Sequence, residues 1–124
     1  MSHWVADYIG QPWVPGENDC WSFFRKIQAN HFGRTVPIIN VDALNRLSCV
    51  REFQSHTEYS MWYGIENPQD GDAVLLAKGK HPSHIGIWIN DGVLHSVENF
   101  GVIWQSKPQL KLDGWQHLTF FRHV

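Results

Sequence analysis

The sequence predicts an α+β fold in which N-terminal helices pack on an antiparallel β-sheet, and three observations carry that expectation. Up to about position 56, apolar residues recur at helix spacing: Cys20, Phe23, Phe24 and Ile27, then Leu44, Leu47, Val50 and Phe53. After position 72 they run in short β-branched or alternating stretches bounded by turn residues. Between two of those stretches stands Asp91-Gly92, a hairpin cue, because both central positions of a type I′ turn need positive φ. Helices first and a meander of strands afterwards segregate the two element types, as an α+β domain does.

Taken in order, a Gly/Pro-rich lead-in ends at Asn18 and Asp19, both good N-cap residues, so a helix should open at Cys20. It should run to about His31 and stop at Gly33, a natural residue just past a helix end. Val36, Pro37, Ile38 and Ile39 make an extended connection to a second helix from Val41 to about His56. The segment Pro68-Gln69-Asp70-Gly71-Asp72 then turns the chain into strands at 73–77, 85–89, 93–97, 101–105 and 117–122. In the second of these, Ile85, Ile87 and Ile89 share the inward face, and His84, Gly86 and Trp88 the other. Gly86 should leave room for a substrate backbone beside His84.

Composition narrows the function. With 124 residues, 43% hydrophobic and 18% charged, residues 1–124 are expected to form one globular domain. A net charge of −2 with scattered basic residues gives no field for phosphate backbones, so nucleic acid is not an expected partner. No apolar run approaches the roughly 18 residues that span a bilayer, and no membrane association is expected. The N-terminus lacks a basic start and an apolar stretch, so the chain is expected to carry no signal peptide and to be made in the cytoplasm. Two cysteines are too few for a disulfide framework.

The thiols separate by position. Cys20 at a helix start meets unpaired amides and the positive end of the helix dipole, which favour the thiolate. Cys49 falls inside the second expected helix with no cap before it, and is expected only to pack. A Cys20–Cys49 disulfide would block the nucleophile. His81, His84 and His95 have a formal spacing for zinc, but Pro82-Ser83 breaks regular structure and no acidic residue completes a metallopeptidase motif. No metal or organic cofactor is expected. A thiol hydrolase needs instead a histidine to share the Cys20 proton and a polar group to hold that ring in one tautomer. An Asp91-Gly92 turn puts Asn99 opposite His84 and His95 across from Trp88; a longer turn or a bulge brings His95 closer, and either side chain can serve.

These residues resemble the NlpC/P60 cell-wall cysteine peptidases, in particular the small versions associated with phage tails. Tyr8-Ile9-Gly10-Gln11-Pro12-Trp13 is similar to the family's tyrosine-containing lead-in, with Gly16 and the Asp19-Cys20 nucleophile pair after it. Asp70-Gly71-Asp72-Ala73-Val74-Leu75 resembles its Gly-Asp strand start, and His84-Ile85-Gly86-Ile87-Trp88 its catalytic-histidine segment. Val93-Leu94-His95-Ser96, followed by Gly101-Val102, resembles its next strand, whose histidine is the third catalytic residue. The likeness covers about residues 8 to 105. It departs at the nucleophile, where Asp19-Cys20-Trp21-Ser22 stands in place of Asp-Cys-Ser-Gly.

The resemblance implies a papain-like NlpC/P60 fold and hydrolysis of amides in peptidoglycan stem peptides, the D-glutamyl–diamino acid bond first among them. It implies Cys20 as nucleophile, His84 as base and His95 as the residue that orients it, with the Cys20 amide and the Tyr8 hydroxyl as oxyanion donors. Partners would be peptidoglycan peptides and phage tail proteins, with delivery by a tail, a secretion machine or lysis. Two other functions fit the same pattern: a non-catalytic wall-binding or tail-assembly module, and a thiol amidase or acyltransferase with another acyl substrate.

Overall fold

A computed structural model describes residues 3–36 and 61–124. The second expected helix, Cys49 and the connection at 37–39 lie outside those residues. The described elements are α1 (His3–Tyr8), α2 (Cys20–Phe32), β1 (Trp62–Ile65), β2 (Ala73–Ala77), β3 (His84–Ile89), β4 (Gly92–Val97), β5 (Gly101–Gln105), α3 (Lys107–Leu112) and β6 (His117–His123). The described strands form one antiparallel six-stranded sheet in the order β1-β6-β2-β3-β4-β5. An α+β arrangement is therefore the fold of the described residues.

Helix α2 begins where the cap residues place it. Asp19 has extended backbone (φ −75°, ψ −178°), and its carboxylate accepts from the Ser22 amide at 2.7 Å and the Gly16 amide at 2.7 Å. Gly33, left-handed at φ 64°, ends the helix. Phe23, Phe24 and Ile27 on its inner face are fully buried against Ile85, Ile87, Ile89 and Leu94. Each contributes about 2 kcal/mol of hydrophobic stabilisation. The isoleucines of β3 thus point as their alternation predicts. The other sheet face is covered too: Val74, Leu76, Trp88 and Val93 pack with Leu110 of α3, Trp115 and Phe120. Covering both faces is why β2 and β3 are buried at every position.

Three elements escape the sequence expectation. Helix α1 is six residues long and owes its place to packing, with Val5 buried in the core and the Trp4 ring stacked on His31 at 3.8 Å. Strand β1 lies at a sheet edge, where Tyr63 and Gly64 face solvent and leave no alternation to read. Helix α3 did have a signal. Ser106-Lys107-Pro108-Gln109 is a capping box with proline in the first turn, and both reciprocal bonds are formed.

The β3–β4 turn falls one residue earlier than Asp91-Gly92. Asn90 and Asp91 carry the positive φ values, 52° and 62°, and the register is Ile89↔Gly92, Trp88↔Val93, Ile87↔Leu94. Asparagine and aspartate tolerate the left-handed region, so the turn does not need the glycine. Gly92 answers a packing demand instead: a Cβ there would sit 2.5 Å from the Trp104 indole and 2.6 Å from the Gln105 carbonyl oxygen. The earlier turn slides β4 by two residues along β3. His95 accordingly moves away from Trp88 toward Gly86, on the same face of β3 as His84.

Candidate active site

The registers converge on one end of the sheet. β2 ends where β3 begins, with Leu76 paired to His84, and β4 ends where β5 begins, with Val97 paired to Gly101. The first residue of α2 arrives at that end, and a cleft of about 220 Å³ is lined there by Trp13, Cys20, Lys78, His84, Asn99 and Trp115, among others. Cys20 is 8% exposed at the helix start, where the amides and dipole favour negative charge on sulfur.

Two tethers set the height of this helix start against the sheet. The Ser96 hydroxyl on β4 donates to the Asn18 carbonyl at 2.6 Å, and the Asn18 side chain donates to the Pro12 carbonyl at 2.9 Å. The lead-in also pairs with β5: the Gly10 amide donates to the Val102 carbonyl and the Val102 amide to the Gln11 carbonyl, each at 2.9 Å. Gly101, at φ 80°, permits this approach, because a Cβ there would lie within 2.4 Å of the Gln11 carbonyl oxygen.

His84 and His95 meet. Nε2 of His84 lies 2.8 Å from Nδ1 of His95, with ring centroids 4.9 Å apart. The contact needs neither a bulge nor a long loop, only the Asn90-Asp91 turn. Gly86 matters here for a different reason from a substrate berth: a Cβ on it would stand 3.0 Å from that of His95 and 2.6 Å from Val93, so the space belongs to the neighbouring strand. On its other side the His84 ring stacks on Trp115 at 5.2 Å and 19°. His95 is fully buried, and its Nε2 meets Oε1 of Gln105 at 2.9 Å. Burial lowers the His95 pKa to about 4, against the Gln105 hydrogen bond and the Asp113 charge, which both raise it.

Other expected residues go elsewhere. Asn99 lines the cleft from the β4–β5 loop at φ 72°, but Nε2 of His84 is held by His95. Tyr8 is not brought to the cleft. Its hydroxyl lies 3.0 Å from Nε2 of His31 and accepts from the Asn30 side chain at 3.3 Å. His31 sits about 16 Å along the helix from Cys20, so the expectation of an oxyanion donor at Tyr8 is corrected. Trp13 is the lead-in aromatic that reaches the cleft. Asp72 of the Gly-Asp motif is structural: both its oxygens accept from Arg122, at 3.1 and 2.9 Å, and its Oδ2 accepts from the Gln69 amide at 2.8 Å. His81 is exposed, and among the described residues no group of three or more His, Cys, Asp or Glu side chains is arranged to hold a metal ion.

Trp13, Gln105, Asp113 and Trp115 were not singled out from the sequence. Gln105 becomes visible only through register, since Val93 pairs with Gln105 and His95 with Ile103, which sets Gln105 diagonally beside His95 on one face. Trp115 follows the α3 stop at Gly114 and carries no local signature.

No helix among the described residues is long and apolar enough to cross a membrane. A comparison with curated proteins finds no match. The family model for the NlpC/P60 family matches residues 10–120. That span takes in the Cys20 helix start, the His84 and His95 strands and Gln105, and it shows that the chain belongs to the NlpC/P60 family, whose members are generally peptidoglycan-hydrolysing cysteine peptidases.

Proposed function

We propose that this chain is a cysteine peptidase that hydrolyses amide bonds in peptidoglycan stem peptides, with the D-glutamyl–diamino acid bond as its target. The observation that carries the reading is the shared cleft of Cys20 and His84, in which Nε2 of His84 is held by His95, so that the reading assigns the thiol proton to its other ring nitrogen, Nδ1. Nδ1 takes the Cys20 proton, and the thiolate attacks the scissile carbonyl carbon. The Cys20 amide at the helix start stabilises the oxyanion that forms. As the tetrahedral intermediate collapses, Nδ1–H of His84 protonates the leaving amine and a thioester remains. Water, losing its proton to the same nitrogen, opens the thioester to a carboxylate and restores the thiol. His95 holds the His84 ring throughout and exchanges no proton with substrate. Trp115 walls the ring from one side and limits its rotation.

The test is mass analysis of disaccharide-tetrapeptide muropeptides after incubation with the full chain. Fragments that together exceed the substrate by one water, cut between D-glutamate and the diamino acid, are expected from wild type. Cys20→Ala should give none while its thermal melt is unchanged. An intact substrate with wild type would overturn the reading and leave a wall-binding module. Products joined to an added amine instead of water would mark an acyltransferase. Delivery by a phage tail is part of the proposal, and its check is whether the chain is found in purified virions.

A further inference from the structure

We propose that Gln105 and Asp113, neither of which reaches the cleft's thiol, are positioning residues that set the tautomers of both histidines and so leave an unprotonated Nδ1 on His84 for Cys20. The proposal rests on the thiol-hydrolase reading of the same site.

The argument starts at the far end. Asp113 caps the C-terminus of α3, and its carboxylate only accepts. The Gln105 side-chain NH₂ donates to Asp113 Oδ2 at 2.5 Å, which fixes the amide with its oxygen toward His95. An amide oxygen also only accepts, so the hydrogen at the 2.9 Å contact belongs to Nε2 of His95. His95 is fully buried and carries one proton, because desolvation opposes a second. Nδ1 of His95 is then a lone pair, and Nε2 of His84, 2.8 Å away, must be the donor. A neutral His84 with its hydrogen on Nε2 has its lone pair on Nδ1. Three consecutive hydrogen bonds, from the end of α3 through β5 and β4 to β3, thus admit one assignment of protons.

Without the Gln105 oxygen the assignment inverts. A buried Nε2–H on His95 with no acceptor is costly, so the proton moves to Nδ1 and points at Nε2 of His84. His84 then carries its hydrogen on Nδ1, the nitrogen that the proposed mechanism gives to the thiol, and that nitrogen cannot accept from it. The charged and titratable groups around the pair are Cys20 on α2, Lys78 after β2, Glu98 after β4 and Asp113 at the end of α3. The identity of the protonated nitrogen follows from the hydrogen-bond chain.

The experiment uses the full chain labelled with ¹⁵N. Long-range proton–nitrogen spectra at pH 7.5 read each imidazole tautomer, and iodoacetamide alkylation of Cys20, followed by peptide mass, reads the thiolate. Wild type should show Nε2–H on both His84 and His95. Gln105→Leu should move the His95 hydrogen to Nδ1 and slow Cys20 alkylation near neutral pH about tenfold, as a one-unit rise in thiol pKa would. The double variant Gln105→Glu with Asp113→Asn keeps an acceptor toward His95 and should restore both tautomers and the alkylation rate. Unchanged tautomers in Gln105→Leu, or Nδ1–H on His84 in wild type, would overturn the proposal. Should Gln105→Leu fail to fold, Asp113→Ala decides: freeing the amide to flip should give His95 two tautomers, and a single Nε2–H form would count against us. Wild type with the expected tautomers but no muropeptide cleavage would defeat the hydrolase reading alone.

Discussion

At the scale of single residues, the proposed mechanism gives the two touching imidazoles, His84 and His95, different duties, and substitution should tell them apart. Removing the base removes proton transfer, so His84→Ala should lower kcat by a factor of about 10² to 10⁴. His95→Ala should lose less, because the ring it orients still samples the productive geometry; equal losses would refute the division of roles. The burial of His95 has a second consequence, for stability. Its pKa is near 4 in the folded protein and about 6.5 in the unfolded chain, so between those values the unfolded state binds more protons. Stability from this residue is therefore full above pH 6.5, declines as pH falls, and is lower by about 3 kcal/mol below pH 4. Urea melts of wild type and His95→Asn at pH 7.5 and 4.5 should show the greater loss in wild type; parallel losses would mean the ring charges freely in the fold. The positions of Cys20 and His84 were legible because a cap and strand alternation are local signals, whereas His95 came from the family resemblance, since an Asp91-Gly92 turn puts Asn99 opposite His84. Tyr8 was misplaced because only the tertiary contact with His31 reveals where its hydroxyl goes.

At the scale of elements, the β3–β4 hairpin shows what local chemistry leaves open. Asn90-Asp91 and Asp91-Gly92 are both acceptable turns from the sequence, and they differ by two residues in register. What decides between them is the Trp104 indole, which covers Gly92 and donates to the Ile89 carbonyl at 2.9 Å. A residue on β5 thereby chooses the turn between β3 and β4 and brings His95 to His84. Gly86 completes the arrangement, since any Cβ there meets Val93, His95 and the Leu94 carbonyl oxygen at 2.6 to 3.1 Å. Gly86→Ala should destabilise the fold by about 1–3 kcal/mol, the range for an overpacked site. It should also break the His84–His95 contact, to be read as a loss of the shared imidazole hydrogen-bond signal in the ¹⁵N spectra. An intact signal with an unchanged melt would show that the strands yield at no cost.

At the scale of the molecule, the sheet brings the start of α2 with Cys20 to the strands that carry His84 and His95, and two polar links can be set against each other to show what that alignment is worth. Ser96, fully buried on β4 beside His95, donates to the Asn18 carbonyl two residues before Cys20. Asp72, 1% exposed, ties the start of β2 to Arg122 on β6. It lies five residues before Ala77, roughly 17 Å from the cleft end of that strand. Losing either link takes the partner from a buried acceptor or a partly exposed cation and should lower the melting temperature. Only one of them holds the helix start at the height of the histidines. Ser96→Ala, which leaves the Asn18 carbonyl without its donor, should cost about 1–3 kcal/mol and also reduce kcat per folded molecule, because the thiol shifts against a ring that cannot follow it. Asp72→Asn should lower the melt while leaving kcat per folded molecule and Cys20 alkylation at their wild-type values. The measurement is turnover and alkylation at a temperature where both variants are fully folded by circular dichroism. If Ser96→Ala proved as active as Asp72→Asn under those conditions, alignment of Cys20 would have to come from Asp19 and the Gly10–Val102 pairing alone.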